Sequence, residues 1–352
     1  MKKILITGSK GYIGTVLYEY LHNKGHKVTG VDNGSFEECI LGPAKKQIVT
    51  YKNTASLSTA DIAQSDVVIH LSGLQNDPLN ETYPGKLYDI EYNYSLKIAE
   101  ICKQGSIKFI YASSCSVYGF SESETRLDEN SFANPLTPYA KNKLNTEKAL
   151  IAMADSSFKP VILRFATLFG YSPRMRFDLY INMFVGMSLA NNKIVLNSDG
   201  TSWRPNVHIN DVCKVLGLVI DREFAEYSVI NVGNNNLNAR VTDLVEILKD
   251  LNPKLEIDQI SAKDELFKDQ YVVGKKDLRS YQVDFTKLNT LFGGEVCGTS
   301  FSEGIQDMIL KFQRMDNFSK MFKDPKFYRL QWMKHLMTNS RLDSELNFKQ
   351  KH

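Results

Sequence analysis

The segment Lys3-Ile4-Leu5-Ile6-Thr7-Gly8-Ser9-Lys10-Gly11-Tyr12-Ile13-Gly14 restricts the fold of this chain more than any other. An apolar run of strand length enters a turn with three glycines at a spacing of three, and helix-compatible residues follow from Tyr12 to Lys24. A glycine turn between a strand and a helix points bare backbone N–H groups outward at the positive end of the helix dipole, where a phosphate can reach them. Gly8 permits the sharp turn, Gly11 leaves no Cβ in the path of a pyrophosphate, and Gly14 lets the helix lie close to the strand. The spacing is G-x-x-G-x-x-G and not the common G-x-G-x-x-G, so a strand–helix turn that binds nothing is also compatible with it. Lys27-Val28-Thr29-Gly30-Val31-Asp32 then reads as a second strand ending in an acid, 18 residues after Gly14. A carboxylate there accepts both ribose hydroxyls of an adenosine and repels a 2′-phosphate, which favours NAD over NADP. Asp32 also suits a turn before Asn33-Gly34, and the two readings are compatible.

Composition removes several function classes. The 352 residues are 43% hydrophobic and 24% charged, with a net charge of +3. This is the balance of a globular protein with no bias toward nucleic acid or a membrane surface. No apolar run approaches the roughly 20 residues that span a bilayer. The five cysteines (Cys39, Cys102, Cys115, Cys213 and Cys297) are odd in number, widely spaced and free of C-x-x-C pairs. Neither a metal site nor a disulfide framework is expected, and the reducing cytoplasm is the expected compartment.

Strand-like runs alternate with helical segments through the first half. Strands are expected at 47–51, 66–71, 107–112 and 161–165, with helices at 56–64, 83–103 and 139–154. This alternation predicts an α/β fold with a doubly wound parallel sheet. Ligands in such sheets sit beyond the strand ends, which places Ser72 and Gly73 near a cofactor. The pattern changes near Gly170. A basic turn at 172–176 precedes a helix over 177–191, a strand at 194–196 and a loop ending at Asn206-Val207-His208. Helices at 211–223 and 241–251 flank a strand at 229–233. A short strand and turn fall within 277–287, and two helices occupy 302–312 and 325–336.

The chemistry rests on Tyr139-Ala140-Lys141-Asn142-Lys143. Residues four apart share a helical face, and a cation beside a phenol favours phenolate, as a general base near neutrality requires. Tyr20/Lys24 and Tyr271/Lys275 share the spacing, but one lies late in the first helix and the other outside the sheet pattern. Only Tyr139/Lys143 opens a helix soon after a serine-rich strand end, where Ser114 can donate to the oxygen that Tyr139 deprotonates. A plain polar turn would account for Ser113-Ser114-Cys115-Ser116 equally well.

Together these segments resemble the extended short-chain dehydrogenase/reductases, within them the NAD-dependent nucleotide-sugar epimerase/dehydratase group. The resemblance is carried by 7–14, Asp32, His70-Leu71-Ser72-Gly73, 113–119, Tyr139-x-x-x-Lys143, 164–170 and 203–212, and covers roughly residues 1–295. It implies a Rossmann-like domain over 1–172, with 206–233 returning to it, and a smaller α/β substrate-binding domain from 173–205 and 234–310. A helical tail, 311–352, remains, which could pack on the substrate domain or cover the site. The resemblance assigns Gly8, Gly11, Tyr12, Ile13 and Gly14 to the pyrophosphate, Asp32 and Asn33 to the adenosine ribose, and Leu71, Ser72 and Gly73 to the cofactor wall. It makes Tyr139 the acid/base, Lys143 the holder of the nicotinamide ribose, and Ser114 a donor to the reacting sugar oxygen. Asn93 matches a helix asparagine that braces the active-site strand. Ser114, Ser116, Arg174, Arg176, Asn182, Arg204 and Arg279 form the expected substrate side, with Arg204 on the diphosphate. The helices at 83–103 and 139–154 resemble those that pair in a homodimer.

Departures narrow the reaction. The family's 4,6-dehydratases carry Asp-Glu after the catalytic hydroxyl residue, where this chain has Cys115 and Ser116, so dehydration is not expected. Its 3,5-epimerases place a cysteine where Ser116 stands, so Cys115 is expected to be a packed residue and not a proton shuttle. Hydride chemistry at one carbinol carbon remains, most often C4. An epimerase that retains NAD and a reductase or dehydrogenase that exchanges it both fit, and a non-catalytic NAD-binding protein fits less well.

Overall fold

The computed structural model describes residues 1–74, 79, 83–121, 125–196, 198–259, 279–343, 346 and 348–349. Seven parallel strands form its central sheet: β1 (Lys3–Thr7), β2 (Lys27–Asp32), β3 (Val49–Tyr51), β4 (Val67–His70), β5 (Lys108–Ser114), β6 (Val161–Phe165) and β10 (Ser228–Val232). Their order across the sheet is β10-β6-β5-β4-β1-β2-β3. The chain starts in the middle, winds out through β2 and β3, then crosses back to β4. The crevice at the carboxyl ends of β1 and β4 is thus the topological switch point where such sheets bind ligands.

Both faces of the sheet are covered, which is why its strands read as unbroken apolar runs. Along β1 the side chains alternate. Ile4 and Ile6 pack with Leu17, Tyr18 and Leu21 of helix α1 (Tyr12–Asn23). Leu5 faces the other way, among Ile98 and Cys102 of the opposite helical layer. That layer holds α2 (Thr59–Ile62), α3 (Pro84–Tyr88), α4 (Tyr94–Gln104) and α5 (Pro138–Met153). The single helix expected over 83–103 is interrupted by a π-helical turn at Asp89–Asn93.

Beyond the sheet lie β7 (Thr167–Phe169), α6 (Tyr180–Asn191), β8 (Lys193–Leu196), β9 (Trp203–His208), α7 (Ile209–Asp221), β11 (Asn238–Arg240), α8 (Val241–Leu251) and β12 (Glu256–Gln259). The end of the expected loop, from Trp203 to His208, is strand β9, which pairs with β7 and β11 in a three-stranded sheet. Its polar, proline-containing sequence lacks strand periodicity, and the pairing partners are supplied by segments far along the chain. Helices α9 (Thr286–Phe292), α10 (Phe301–Gln313), α11 (Phe318–Phe322) and α12 (Arg329–Thr338) complete the chain. The tail packs in two places. Phe318, Phe322, Phe327 and Tyr328 join a core with α6 and α10. Leu330, Trp332, Met333, Leu336, Leu342 and Leu346 pack on Phe36, Cys39, Leu74, Leu79 and Leu87, beside the switch point.

Candidate active site

The glycine turn is shaped by what a side chain would strike. Gly8 has φ +73°, and a Cβ there would lie 2.9 Å from the Ser72 nitrogen. At Gly14 a Cβ would sit 2.3 Å from the Gly8 carbonyl oxygen. Gly11 is the N-cap of α1 and supplies no side-chain acceptor, so N–H groups of the first turn stay open to a ligand. Asp32 ends β2 and accepts from the Lys10 N–H at 3.0 Å and the Gly34 N–H at 2.9 Å. Burial raises its carboxyl above the usual range while those two donors oppose the shift. Leu71 donates its N–H to the Thr7 carbonyl at 3.1 Å, which sets Leu71, Ser72 and Gly73 against the turn. Gly8, Gly11, Gly14, Asp32, Leu71, Ser72 and Gly73 therefore converge at one edge of the sheet.

Two expected cofactor residues are turned differently. The Tyr12 side chain is buried and its hydroxyl donates to the Gly170 carbonyl at 2.6 Å, so Tyr12 faces the turn with its backbone. The Asn33 Oδ1 accepts from the N–H and hydroxyl of Ser35, at 3.0 and 2.8 Å, and shapes the loop after β2.

Helix α5 starts at Pro138 behind Thr137, whose hydroxyl accepts from the Ala140 N–H at 3.2 Å. Proline at the first position and a threonine cap fix this start. One turn on, Lys143 is 2% exposed, and its ammonium lies 6.0 Å from the Tyr139 ring centroid. Two of its three donors are engaged, by the Ala112 carbonyl at 2.9 Å and by Glu91 at 3.0 Å. Ser114 closes β5, and its hydroxyl accepts from the Ser116 N–H at 3.1 Å. The Ser116 hydroxyl is buried and has no partner among the described residues. Cys115 donates its thiol to the Arg164 carbonyl at 3.2 Å, and burial pushes that thiol far up, as expected of a packed residue.

Arg174 and Asn182 are buried, and Arg176 is half-buried. Arg176 holds Asp178 through two hydrogen bonds of 3.0 and 3.1 Å. The Asn182 amide accepts from the Gly170 N–H and donates to the Tyr12 hydroxyl and the Arg176 carbonyl, at 3.0, 3.1 and 3.0 Å. With those bonds made, it acts on the site by positioning Tyr12 and Arg176. Arg204 donates to the carbonyls of Trp203 and Arg279, so these two cationic residues meet although 75 positions separate them. Of the other Tyr-x-x-x-Lys pairs, Lys24 lies past the end of α1 with Tyr20, and Tyr271/Lys275 lies outside the described residues.

The family model described as the NAD dependent epimerase/dehydratase family matches residues 4–233. The chain belongs to this family. A Bacillus subtilis protein described as an uncharacterized UDP-glucose epimerase, YtcB, is 30% identical over 272 residues, covering 71% of this chain and 82% of that protein. A UDP-glucose 4-epimerase of Neisseria meningitidis is 25% identical, covering 71% and 81%. Among solved structures, MoeE5 in complex with UDP-glucuronic acid and NAD superposes with a TM-score of 0.74 at 25% identity, over 89% of this chain and 99% of that one.

The family's cofactor is NAD, and this chain's residues fit it. The glycine positions leave a cradle that any Cβ would fill, and the carboxylate expected for an adenosine ribose stands at the end of β2. Sequence reasoning missed Glu91. It is 1% exposed, and its carbonyl accepts from Ser95, whose hydroxyl lies 2.9 Å from His70 Nε2. His70 Nδ1 in turn lies 2.7 Å from the Thr7 hydroxyl, so a buried polar chain joins the glycine-turn strand to the helix behind Lys143. Glu91 falls four residues after Leu87 in an otherwise apolar stripe. An acid in such a stripe is the signal that could have identified it. Arg329 stood out in the sequence only as one of the tail's basic residues, and no local pattern assigns it to the Phe36 loop.

Proposed function

We propose that this enzyme is a nucleotide-diphosphate-sugar 4-epimerase that keeps its NAD through each turnover. The observation that carries the reading is that Lys143 lies beside the Tyr139 ring and bonds the Ala112 carbonyl of β5, the strand that ends in Ser114 and is separated from the glycine-turn strand β1 only by β4. When bound, NAD supplies the acceptor and donor for a hydride at the sugar carbon. Tyr139 is the base that takes the C4 hydroxyl proton and later returns it. Lys143, held by Glu91 and the Ala112 carbonyl, keeps a positive charge near the phenol, which favours phenolate. Ser114 donates to the same sugar oxygen and fixes its direction. Arg204 and Arg279 are suited to the substrate diphosphate, because a guanidinium fork matches phosphate oxygens. A ligand anchored there leaves its sugar free to turn over and present the opposite face.

The relatives' names favour UDP-sugars as the first substrates to try. Cys115 and Ser116, in place of an acidic pair, speak against dehydration. A reductase on the same substrate class would use the same three residues. The pairing of two subunits through 83–103 and 139–154 also belongs to this reading, with light scattering at micromolar concentration as its check. The experiment that decides the reaction denatures purified protein to identify released dinucleotide, then follows a panel of UDP-sugars by NMR. Retained NAD and interconversion of C4 epimers without net redox change are expected. Stoichiometric consumption of NADH would overturn the epimerase in favour of the reductase.

A further inference from the structure

Arg174 is fully buried, yet its Nε and Nη2 have no hydrogen-bond partner among the described residues. Its Nη1 donates to the Met175 carbonyl at 2.8 Å. A buried guanidinium with open donors is costly unless an anion meets it. Its place in the fold says which anion. The Arg174 N–H donates to the Ser172 hydroxyl at 3.2 Å, and that hydroxyl donates to the Tyr12 carbonyl at 2.9 Å. Arg174 is therefore two hydrogen bonds from the first residue of α1, whose N-terminal N–H groups face the phosphate position. Its guanidinium lies 4.4 Å from the Phe36 ring centroid, in the loop that follows Asp32.

A second guanidinium arrives from the far end of the chain. Arg329 opens α12, is 6% exposed, and lies 5.4 Å from the same Phe36 ring. The helix that carries it is fastened over the crevice. Trp332 donates its indole N–H to the Ser35 carbonyl at 2.7 Å, and Arg341 pairs with Glu38 at 2.6 Å. Neighbouring side chains pack on Leu74, Leu79 and Leu87. Both guanidiniums stand in the field of Arg176 and its carboxylate partner Asp178, one anion among several cations, and their more distant electrostatic neighbours span the site, Asp32 for Arg174 and Glu91, the partner of Lys143, for Arg329. A dinucleotide laid from Asp32 to Tyr139 and Lys143 would have its pyrophosphate midway between those ends.

We infer that Arg174 and Arg329 form a buried cationic clamp on the phosphates of NAD, and that the C-terminal helix, by delivering Arg329 and covering residues 35–39, retains the cofactor between turnovers. The inference rests on NAD occupying the crevice. It makes slow cofactor release a property of this chain's tail and not of the glycine turn alone.

The test measures the rate at which purified holoprotein releases NAD after dilution into excess ADP-ribose, beside its melting temperature in saturating NAD and its KM for a UDP-sugar. Arg174→Gln and Arg329→Gln are each expected to release NAD at least about tenfold faster, the loss of one charge-assisted contact. Arg329→Lys should recover part of the retention, because charge remains while the fork is lost. Trp332→Phe stays apolar and aromatic but removes the bond to Ser35 and part of the buried packing, so it loosens the strap and tests it if a glutamine variant fails to fold. Release within twofold of the parent in the folded variants overturns the clamp. A raised KM for the UDP-sugar with unchanged NAD release also overturns it and assigns the cations to the substrate. A parent protein that neither carries nor binds NAD removes the premise and with it the inference, an outcome distinct from parent retention that the variants leave unchanged.

Discussion

Replacing Gly14 by alanine tests the glycine turn most directly. Gly14 sits in the first turn of α1, and an added Cβ would lie 2.3 Å from the Gly8 oxygen and 2.7 Å from the Ser9 Cα. Both atoms are backbone, so no side chain can swing aside. The closest Cβ contacts in proteins stay above 3.0 Å, which means that helix and turn must separate by roughly 0.7 Å. Overpacking of this kind costs about 1–3 kcal/mol, while alanine gains up to about 1 kcal/mol over glycine in helix propensity. Gly85→Ala supplies the control, because it lies in the first turn of α3 and a Cβ there meets nothing within 4 Å. Both variants carry the propensity gain, so the difference between them, about 2 kcal/mol by urea unfolding, isolates the steric effect. The displaced turn also misaligns N–H groups that face the phosphate. Calorimetry should show NAD bound about tenfold more weakly by Gly14→Ala, the equivalent of one hydrogen bond. Equal stability and equal NAD affinity in the two variants would refute the close approach on which the reading of this turn depends.

Tyr139→Phe should lower kcat by about 10²–10⁴ while the protein still retains NAD, because only the proton-transferring hydroxyl is removed; an unchanged kcat would exclude Tyr139 as the base. Glu91→Gln strips the carboxylate from an ammonium that is 2% exposed, so unfolding in urea should show a loss of about 3–5 kcal/mol, the usual effect of breaking a buried pair from one side. Burial pulls His70 down from 6.5 to about 3. The unfolded chain therefore binds the extra proton between those values. Stability from this group is complete above pH 6.5 and falls by about 1.4 kcal/mol per unit as the pH drops toward 3. Urea midpoints at pH 7 and pH 5.5 should differ in the parent and differ less in His70→Asn, and equal slopes would remove His70 as the cause.

Much of the fold was legible because the central sheet is buried on both faces. Strands such as Val67–His70 and Val161–Phe165 must then be continuous apolar runs, and helices such as Val241–Leu251 must carry a one-sided stripe. Elements outside the sheet were less legible. Trp203–His208 becomes a strand only because Thr167–Phe169 and Asn238–Arg240 arrive to pair with it, and its own polar residues give no period. The π-helical turn at Asp89–Asn93 was hidden for a related reason: one wide turn shifts the facing of a helix without changing its composition.

The sequence by itself determined the chemistry that depends on local spacing. Three glycines between a strand and a helix, an acid at the end of the next strand, and a tyrosine four residues before a lysine are relations within a few turns of chain, and backbone geometry fixes what they can do. The tertiary structure alone decided which distant groups surround them. Glu91 comes to Lys143 because two helices of one layer pack side by side, Arg279 meets Arg204 across 75 residues, and the tail brings Arg329 to Phe36 from 293 residues away. Those encounters depend on burial of apolar surface that is neutral to which charged group it carries along, so no local pattern records them.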